Sequence, residues 1–569
     1  MIVGRRTPQP LNAPKHTRRA GFLRQGLMQP LLVWKHLAFG AALVLACVLL
    51  FGQTVDFGFV RADDEDLLTG NQTFLSELAN APRVFTRSYF EVDGELSALE
   101  TYYRPLVVLS FMADAQLEGE GQEVYHATNV FLHVTVVLLL FGLAVRLGAS
   151  GSAAFGAALL FAVHPLTVQT VGWIVGRNDS LLALFALLSL IGLDACLRGN
   201  RSWGPWLHLA AFALALFTKE TGVVLLLAYG LLVWLWYDRL RFYRELRWLL
   251  WGYFGVAVFW VVMRQLALAG GEGSATPTES LVTAARNLPQ LLVYFGKVVF
   301  PVNLNVMPSV DARALGLGVL ALGVLAVTFR RLPTRRTVAV LSWFVLFLVP
   351  PLVVPDLPAY EHRTYVPLLG LALGLSQLPA PAGTWWRWSG PRLVLMALVV
   401  VFGGLTRGHL QNFRDPLTFW VSATRGTAYA PIAHVNVGRI LEELDQPGRA
   451  AAEYRAALAI DPTTPKANNN LGIALMTLGR DQLALPYFER ELEVNPTNAE
   501  AHFNIGLFHK ITGHPAESVS YWATALEHNP FFVPAYEQLI EHYGQTGDVA
   551  RRDEYQAQLD VLLQRLVAR

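Results

Sequence analysis

A succession of apolar segments, each near the length that crosses a bilayer, constrains this chain more than any other feature. About 20 apolar residues are needed to span the hydrocarbon core, and the first such segment, Leu31 to Gly52, follows Arg5, Arg6, Lys15, Arg18, Arg19 and Arg24. Others lie near 125–147, 152–171, 180–197, 205–218, 221–237, 248–267, 313–329, 337–354, 365–378 and 392–406. With 53% hydrophobic and 15% charged residues over 569 positions, an ordinary soluble domain is excluded. The chain reads as an all-α polytopic membrane protein of about eleven spans.

Charge orients the spans. Arg146, then Arg198 and Arg201, then Arg239, Arg241, Arg244 and Arg247, then Arg330, Arg331, Arg335 and Arg336 share one side if the spans alternate from a cytoplasmic N-terminus. The first apolar stretch is too long for a secretory signal and lacks a small-residue cleavage site, so an uncleaved anchor is expected. Segment 285–300 would displace the Arg330–Arg336 cluster if it crossed, which places it along the interface or as a re-entrant piece. Trp385, Trp386, Arg387 and Trp388 read as an interfacial aromatic anchor. Cys47 and Cys196 both fall in expected spans, leaving neither a disulfide framework nor a thiolate metal site. The net charge of +2 carries no sign of a nucleic-acid partner.

Beyond residue 410 the chain turns polar and Ala-rich, with a period of 34. Asp461-Pro462, Asn495-Pro496 and Asn529-Pro530 repeat at that interval, as do Gly438, Gly472 and Gly506, and Tyr454, Phe488 and Trp522. This is the tetratricopeptide pattern of helical hairpins, with small residues where helices cross and an aromatic filling the gap. Three good repeats run from about Pro431 to Phe531 and a degenerate fourth from Phe532 to about Leu563. The expected organisation is a basic cytoplasmic tail (1–30), a membrane domain (31–410) with a long first outer loop (53–124), a connector (411–430) and a repeat domain on the outer side (431–569). Asn436, Asn470 and Asn504 also recur at 34. Their amides either hold an extended acceptor peptide or satisfy hydrogen bonds between hairpins.

Chemistry-bearing residues collect at one membrane face in this topology: Asp63 to Asp66, Tyr103-Arg104-Pro105, His164-Pro165, Arg177-Asn178-Asp179, Lys219-Glu220 and Glu361-His362-Arg363. The loop from Gln53 to Glu123 holds 14 Asp or Glu against 4 Arg or Lys, mostly a solvated face. Asp63 and Asp64 differ because they follow closely on a span, where partial burial and mutual charge raise a carboxylate pKa and make a better base. A phosphate leaving group needs cations, and Arg104, Arg177 and Arg363 are the candidates. Lys219 and Glu220 read either as an internal pair or as substrate contacts, and Arg177 and Asp179 either pair with each other or face substrate. His126 and His133, seven apart, lack a third ligand and read as packing residues rather than a metal site.

Seven runs in order carry a family resemblance: Asp63-Asp64, Tyr103-Arg104-Pro105-Leu106, Tyr125 to His133, Phe161 to Pro165, Val175 to Asp179, Thr218-Lys219-Glu220 and Glu361 to Pro367. With the repeats behind them, they resemble the bacterial relatives of the transmembrane and tetratricopeptide-repeat O-mannosyltransferases, of the GT-C class. The resemblance implies inverting transfer of a hexose, mannose in the eukaryotic members, from a polyprenyl-phosphate carrier to Ser or Thr of exported polypeptides, outside the cytoplasmic (inner) membrane. It implies Asp63 as base with Asp64 beside it. It also implies that Arg363, with His362 and Tyr365, holds the carrier phosphate, while His126, His164, Asp179, Lys219, Glu220 and Glu361 support the site. Gln169 stands where many relatives are acidic, so neither a metal nor a cofactor beyond the lipid-linked donor is expected. Two other classes remain: a repeat scaffold without catalysis, and a transporter. A GT-C transferase with a glycan or lipid acceptor is a further variant. Convergence of Asp63, Arg177 and Arg363 on one cavity discriminates between them.

Overall fold

The computed structural model describes residues 16–91, 102–118, 121–198, 202–236, 239–268, 277–354, 359–379, 390–426 and 429–567. Arg5, Arg6, Lys15, Arg201, the acidic positions in 92–101, Trp385 to Trp388, and the side chains of Arg18, Arg19, Arg24, Arg239, Arg241, Arg244 and Arg247 lie outside the described residues. Within them the chain is a multi-pass membrane protein built from helices. Seven are long and apolar enough to cross a membrane, eight if one bent pair counts as a span.

That pair corrects the expectation of one span over 152–171. Gly151–Ala162 and Pro165–Gly172 meet at 57°, because Pro165 brings no N–H and its ring clashes with the turn before it. His164 fills the break. Its Nδ1 accepts from Leu166 N at 3.2 Å, and its Nε2 donates to Val298 O at 3.0 Å.

Three further expected spans are short helices: Gly204–Thr218, Val224–Trp236 and Tyr365–Ser376. At 1.5 Å per residue they reach roughly 18–23 Å, less than a hydrocarbon core of about 30 Å. The first two are separated by Lys219 in extended conformation (φ −158°, ψ 139°) and a 3₁₀ turn, Glu220–Val223. Segment 285–300 is the end of one helix, Pro277–Asn287, followed by another, Gln290–Val299, which packs on Ala312–Phe329. The acidic loop holds a helix not expected from its charge, Pro105–Glu118, packed against Glu123–Arg146.

Four helical hairpins form the C-terminal solenoid, from Ala430–Glu443 with Pro447–Ile460 to Val533–Thr546 with Val549–Val567. One apolar core is continuous from Leu43 in the membrane domain to Ile505 in the third repeat, so the solenoid is docked on the bundle. The 34-residue Gly and aromatic positions meet in pairs. A Cβ on Gly472 would lie 2.4 Å from the Phe488 ring, and Gly438 and Gly506 face Tyr454 and Trp522 in the same way. Gly472→Ala therefore costs about 1–3 kcal/mol through overpacking, measured as a lower midpoint of thermal unfolding by circular dichroism. An unchanged midpoint would contradict that packing.

The asparagines at 34-residue spacing are not equivalent in their surroundings. Asn504 is buried and donates to Asn469 Oδ1 at 2.8 Å. Asn470 bonds Asn469 and Tyr454, and Asn436 donates to Ile432 O one turn earlier at 3.1 Å. The Asn504 amide is thus used between two repeats, whereas Asn436 bonds within its own helix, and Asn436 and Asn470 stay partly exposed.

Candidate active site

The site starts from the strained loop after the first span. Arg61 has φ 53°, a left-handed conformation that costs a non-glycine residue roughly 1 kcal/mol or more. Asp64 holds the turn: it is 1% exposed, and its two carboxylate oxygens accept from Val60 N at 2.6 Å and Ala62 N at 2.8 Å. Asp64 is thereby a backbone anchor, outside the cavity lining. Its neighbour Asp63 lines a cavity of about 420 Å³.

Six other residues singled out in the sequence line the same cavity: Arg104, Asp179, Lys219, Glu220, His362 and Arg363. Their pairings differ from the local pairs the sequence allows. Lys219 Nζ lies 2.8 and 2.7 Å from the two Asp179 oxygens and 3.1 Å from Asn178 Oδ1. Arg104 Nε lies 3.1 Å from Glu220 Oε2, and Glu220 Oε1 accepts from Tyr103 N at 2.7 Å. The Arg104 guanidinium also covers the Tyr102 ring at 4.5 Å. Two of the three carboxylates in the cavity wall are thus neutralised by neighbours. Among the described residues Asp63 makes no hydrogen bond or ion pair. Burial first, then the charge of Asp64, pushes its carboxyl up to about 6, against the pull of Arg104.

In the same lining the Tyr360 and His362 rings stack at 5.2 Å, and Arg363 lies over Tyr360 at 5.3 Å. Burial, followed by the charges of Lys219, Arg363 and Arg104, holds His362 well below the usual histidine range. It is a neutral imidazole at neutral pH. His362 Nδ1 and Trp173 Nε1, both in the lining, have no hydrogen-bond partner among the described residues. The wall therefore offers an unpaired carboxylate, cations and neutral polar atoms beside aromatic faces, the groups that bind a phosphosugar and take a proton from a hydroxyl.

Five expected site residues lie behind the wall. Arg177 is fully buried, paired with Asp114 at 2.6 Å, and donates to Asn129 Oδ1 at 2.8 Å, Tyr125 O at 2.7 Å and Ser110 Oγ at 3.2 Å. Its donors are spent on the bundle, which takes it out of the phosphate-binding set. Tyr365 is buried with its hydroxyl 2.7 Å from His133 Nδ1. Glu361 is buried between Lys297 and His409. His164 ends a helix, and His126 is fully buried beside Phe57. Of the discriminating trio, Asp63 and Arg363 share the cavity and Arg177 does not.

The sequence reading passed over Trp173, Tyr102 and Tyr360, aromatics that line the cavity beside flagged motifs. Behind the lining, Gln169 holds the backbone of His362, accepting from His362 N at 3.0 Å and donating to Val306 O at 3.1 Å. Adjacency to a motif was the available signal.

Fold and site define a multi-pass helical membrane protein with a polar cavity at one end of its bundle and a tetratricopeptide solenoid docked beside it. The tetratricopeptide repeat family model matches residues 436–499 and 469–530. The chain is 31% identical over 214 residues to Protein O-mannosyl-transferase TMTC4 of Homo sapiens, covering 34% of this chain and 28% of that protein. It is 33% identical over 210 residues to Protein O-mannosyl-transferase Tmtc1 of Drosophila melanogaster, covering 37% and 24%. These relatives are named protein O-mannosyl-transferases, and the chain spans about a quarter of their length. Among solved structures, ArnT from Cupriavidus metallidurans bound to undecaprenyl phosphate aligns over 82% of this chain and 80% of its own, with 16% identity and a TM-score of 0.36.

Proposed function

We propose that this chain is an inverting GT-C glycosyltransferase that moves a hexose from a polyprenyl-phosphate carrier to Ser or Thr hydroxyls of exported polypeptides, at the outer face of the cytoplasmic membrane. The observation that carries the reading is Asp63: an unpaired carboxylate with a raised pKa in a cavity it shares with Arg363, Arg104 and Lys219. As the acceptor oxygen bonds to the anomeric carbon, Asp63 takes its proton. The bond from that carbon to the carrier phosphate breaks, and the phosphate leaves with the electron pair, stabilised by the cations. One base and a phosphate leaving group suffice, so the displacement inverts the anomeric centre.

Donor recognition falls to Arg363 and neutral His362, with Trp173, Tyr102 and Tyr360 offering faces for the sugar. Leu182, Phe347 and Val366 line the cavity, and Leu190, Trp343 and Gly370, further along the same helices, line a small apolar cleft that extends the apolar surface open to the carrier's hydrocarbon chain. A solenoid packed beside the Asp63 loop favours a polypeptide acceptor over a glycan or lipid. Asp179 and Glu220 are already paired with Lys219 and Arg104, and the chemistry as proposed draws on no metal.

Membranes containing the chain, given radiolabelled polyprenyl-phosphate mannose and exported proteins, should put label on Ser and Thr. Label in lipid or glycan would overturn the protein acceptor, and no label with any hexose would overturn the transferase. Arg363→Gln should raise the donor KM roughly 10- to 100-fold, the value of a hydrogen bond to a charged group. An unchanged KM would remove Arg363 from the donor site.

A further inference from the structure

We propose that Arg439 and Glu443, on the first solenoid helix Ala430–Glu443, are positioning residues for the Asp63 carboxylate, so that the repeat domain is part of the transfer machinery as well as a receptor. The inference rests on the transferase reading above.

Four contacts reach the stretch 58–65 from the connector and the solenoid. Gly58 N donates to Arg414 O at 2.9 Å, and Trp420 Nε1 donates to Arg61 O at 3.3 Å. Arg61 pairs with Glu443, and Arg439 Nη2 lies 3.3 Å from Glu65 Oε2. Residues 439 and 443 are one turn apart on one helix face. Their partners stand two residues before and two after Asp63, so the pairs straddle the base.

The charges are crossed: a cation in the loop meets an anion on the helix, then the reverse. Docking in the opposite sense would set Arg61 against Arg439 and Glu65 against Glu443, so like charges disfavour it. All four side chains are 42–47% exposed, and exposed pairs contribute no more than about 1 kcal/mol each. That is too little to matter for global stability. It matters for placement, because Arg61 sits in a strained left-handed conformation and a base displaced by about 1 Å costs on the order of 100-fold in rate. A polypeptide that settles in the solenoid and shifts this helix thus acts directly on the loop that holds the base.

The test uses the purified full chain with two readouts: single-turnover hexose transfer, and the rate at which a carbodiimide labels Asp63, followed by peptide mass spectrometry. Glu443→Arg and Arg439→Glu each set like charges against the loop, and Glu443→Gln is a milder form should either fail to fold. Each should lower transfer about 10-fold or more, with the donor KM within about twofold, and change the labelling rate at Asp63. The exchanged doubles Arg61→Glu/Glu443→Arg and Glu65→Arg/Arg439→Glu should recover to within about threefold of the unaltered chain in both readouts. Single variants that match the unaltered chain in both, or doubles no better than singles, would overturn the proposal. If no form transfers sugar yet Asp63 labelling follows the pairs, the positioning stands and the transferase falls.

Discussion

Asp63→Asn lowers hexose transfer by about 10³-fold, within the 10²–10⁴ range of a positioned general base, leaves donor binding unchanged, and does not lower the midpoint of thermal unfolding, because removing a carboxylate whose pKa burial raises relieves a cost of folding above pH 6. The substitution is nearly isosteric, and Asp63 makes no hydrogen bond or ion pair among the described residues whose loss would disturb the fold. The turn that carries it is closed by Asp64 through Val60 N and Ala62 N, and Asp64 is untouched. The donor phosphate is assigned to Arg363 and His362, so the donor KM should stay within about twofold, as expected for a group acting only in the transition state. The measurement is single-turnover transfer at saturating donor. A loss below about tenfold would mean that another group takes the proton.

The second large effect falls on stability. Arg177→Met should cost about 3–5 kcal/mol, the penalty for leaving one partner of a buried ion pair uncompensated. Asp114, 4% exposed, would keep only Thr128 Oγ1 at 2.8 Å, and Asn129 Oδ1 and Tyr125 O would lose their donor. The check is thermal unfolding in detergent. Asp114→Leu/Arg177→Met should recover much of the loss, because a well-packed apolar pair can replace a buried ionic one. If Arg177 instead held the carrier phosphate, the single variant would raise the donor KM and leave unfolding alone.

How much of this was legible in the sequence depends on the range of the interactions involved. The solenoid repeats its own instructions, so Gly472 and Phe488 could be matched to Gly506 and Trp522 at a fixed interval. The spans were legible as apolar length and the interruption at Lys219 as the gap between 205–218 and 221–237, but length ran one span through 152–171, where a capping imidazole at His164-Pro165 accompanies a bend. At the site, motifs in order pointed to Asp63, Arg104, Lys219, Glu220, His362 and Arg363. Partners were a different matter. Lys219 pairs with Asp179 across 40 residues and Arg104 with Glu220 across 116, and no local spacing encodes either. Arg177 and Asp63 both sit at span ends in the sequence; only packing shows that one faces inward and the other the cavity. The asparagines at 436, 470 and 504 share a period with the repeats, yet only Asn504 is buried between two of them, and a period cannot say which side of a helix a ligand would use.

The central claim, that Asp63 is the base of a hexosyl transfer, is tested most directly by the pH dependence of single-turnover transfer from a polyprenyl-phosphate hexose to a Ser/Thr peptide. A base works ionised, and the folded pKa of Asp63 is raised to about 6. Transfer should therefore be level above that value and fall about tenfold per unit below it, with the falling limb absent from the residual rate of Asp63→Asn. A limb that persists unchanged in Asp63→Asn, or a profile flat through pH 6, would contradict the account.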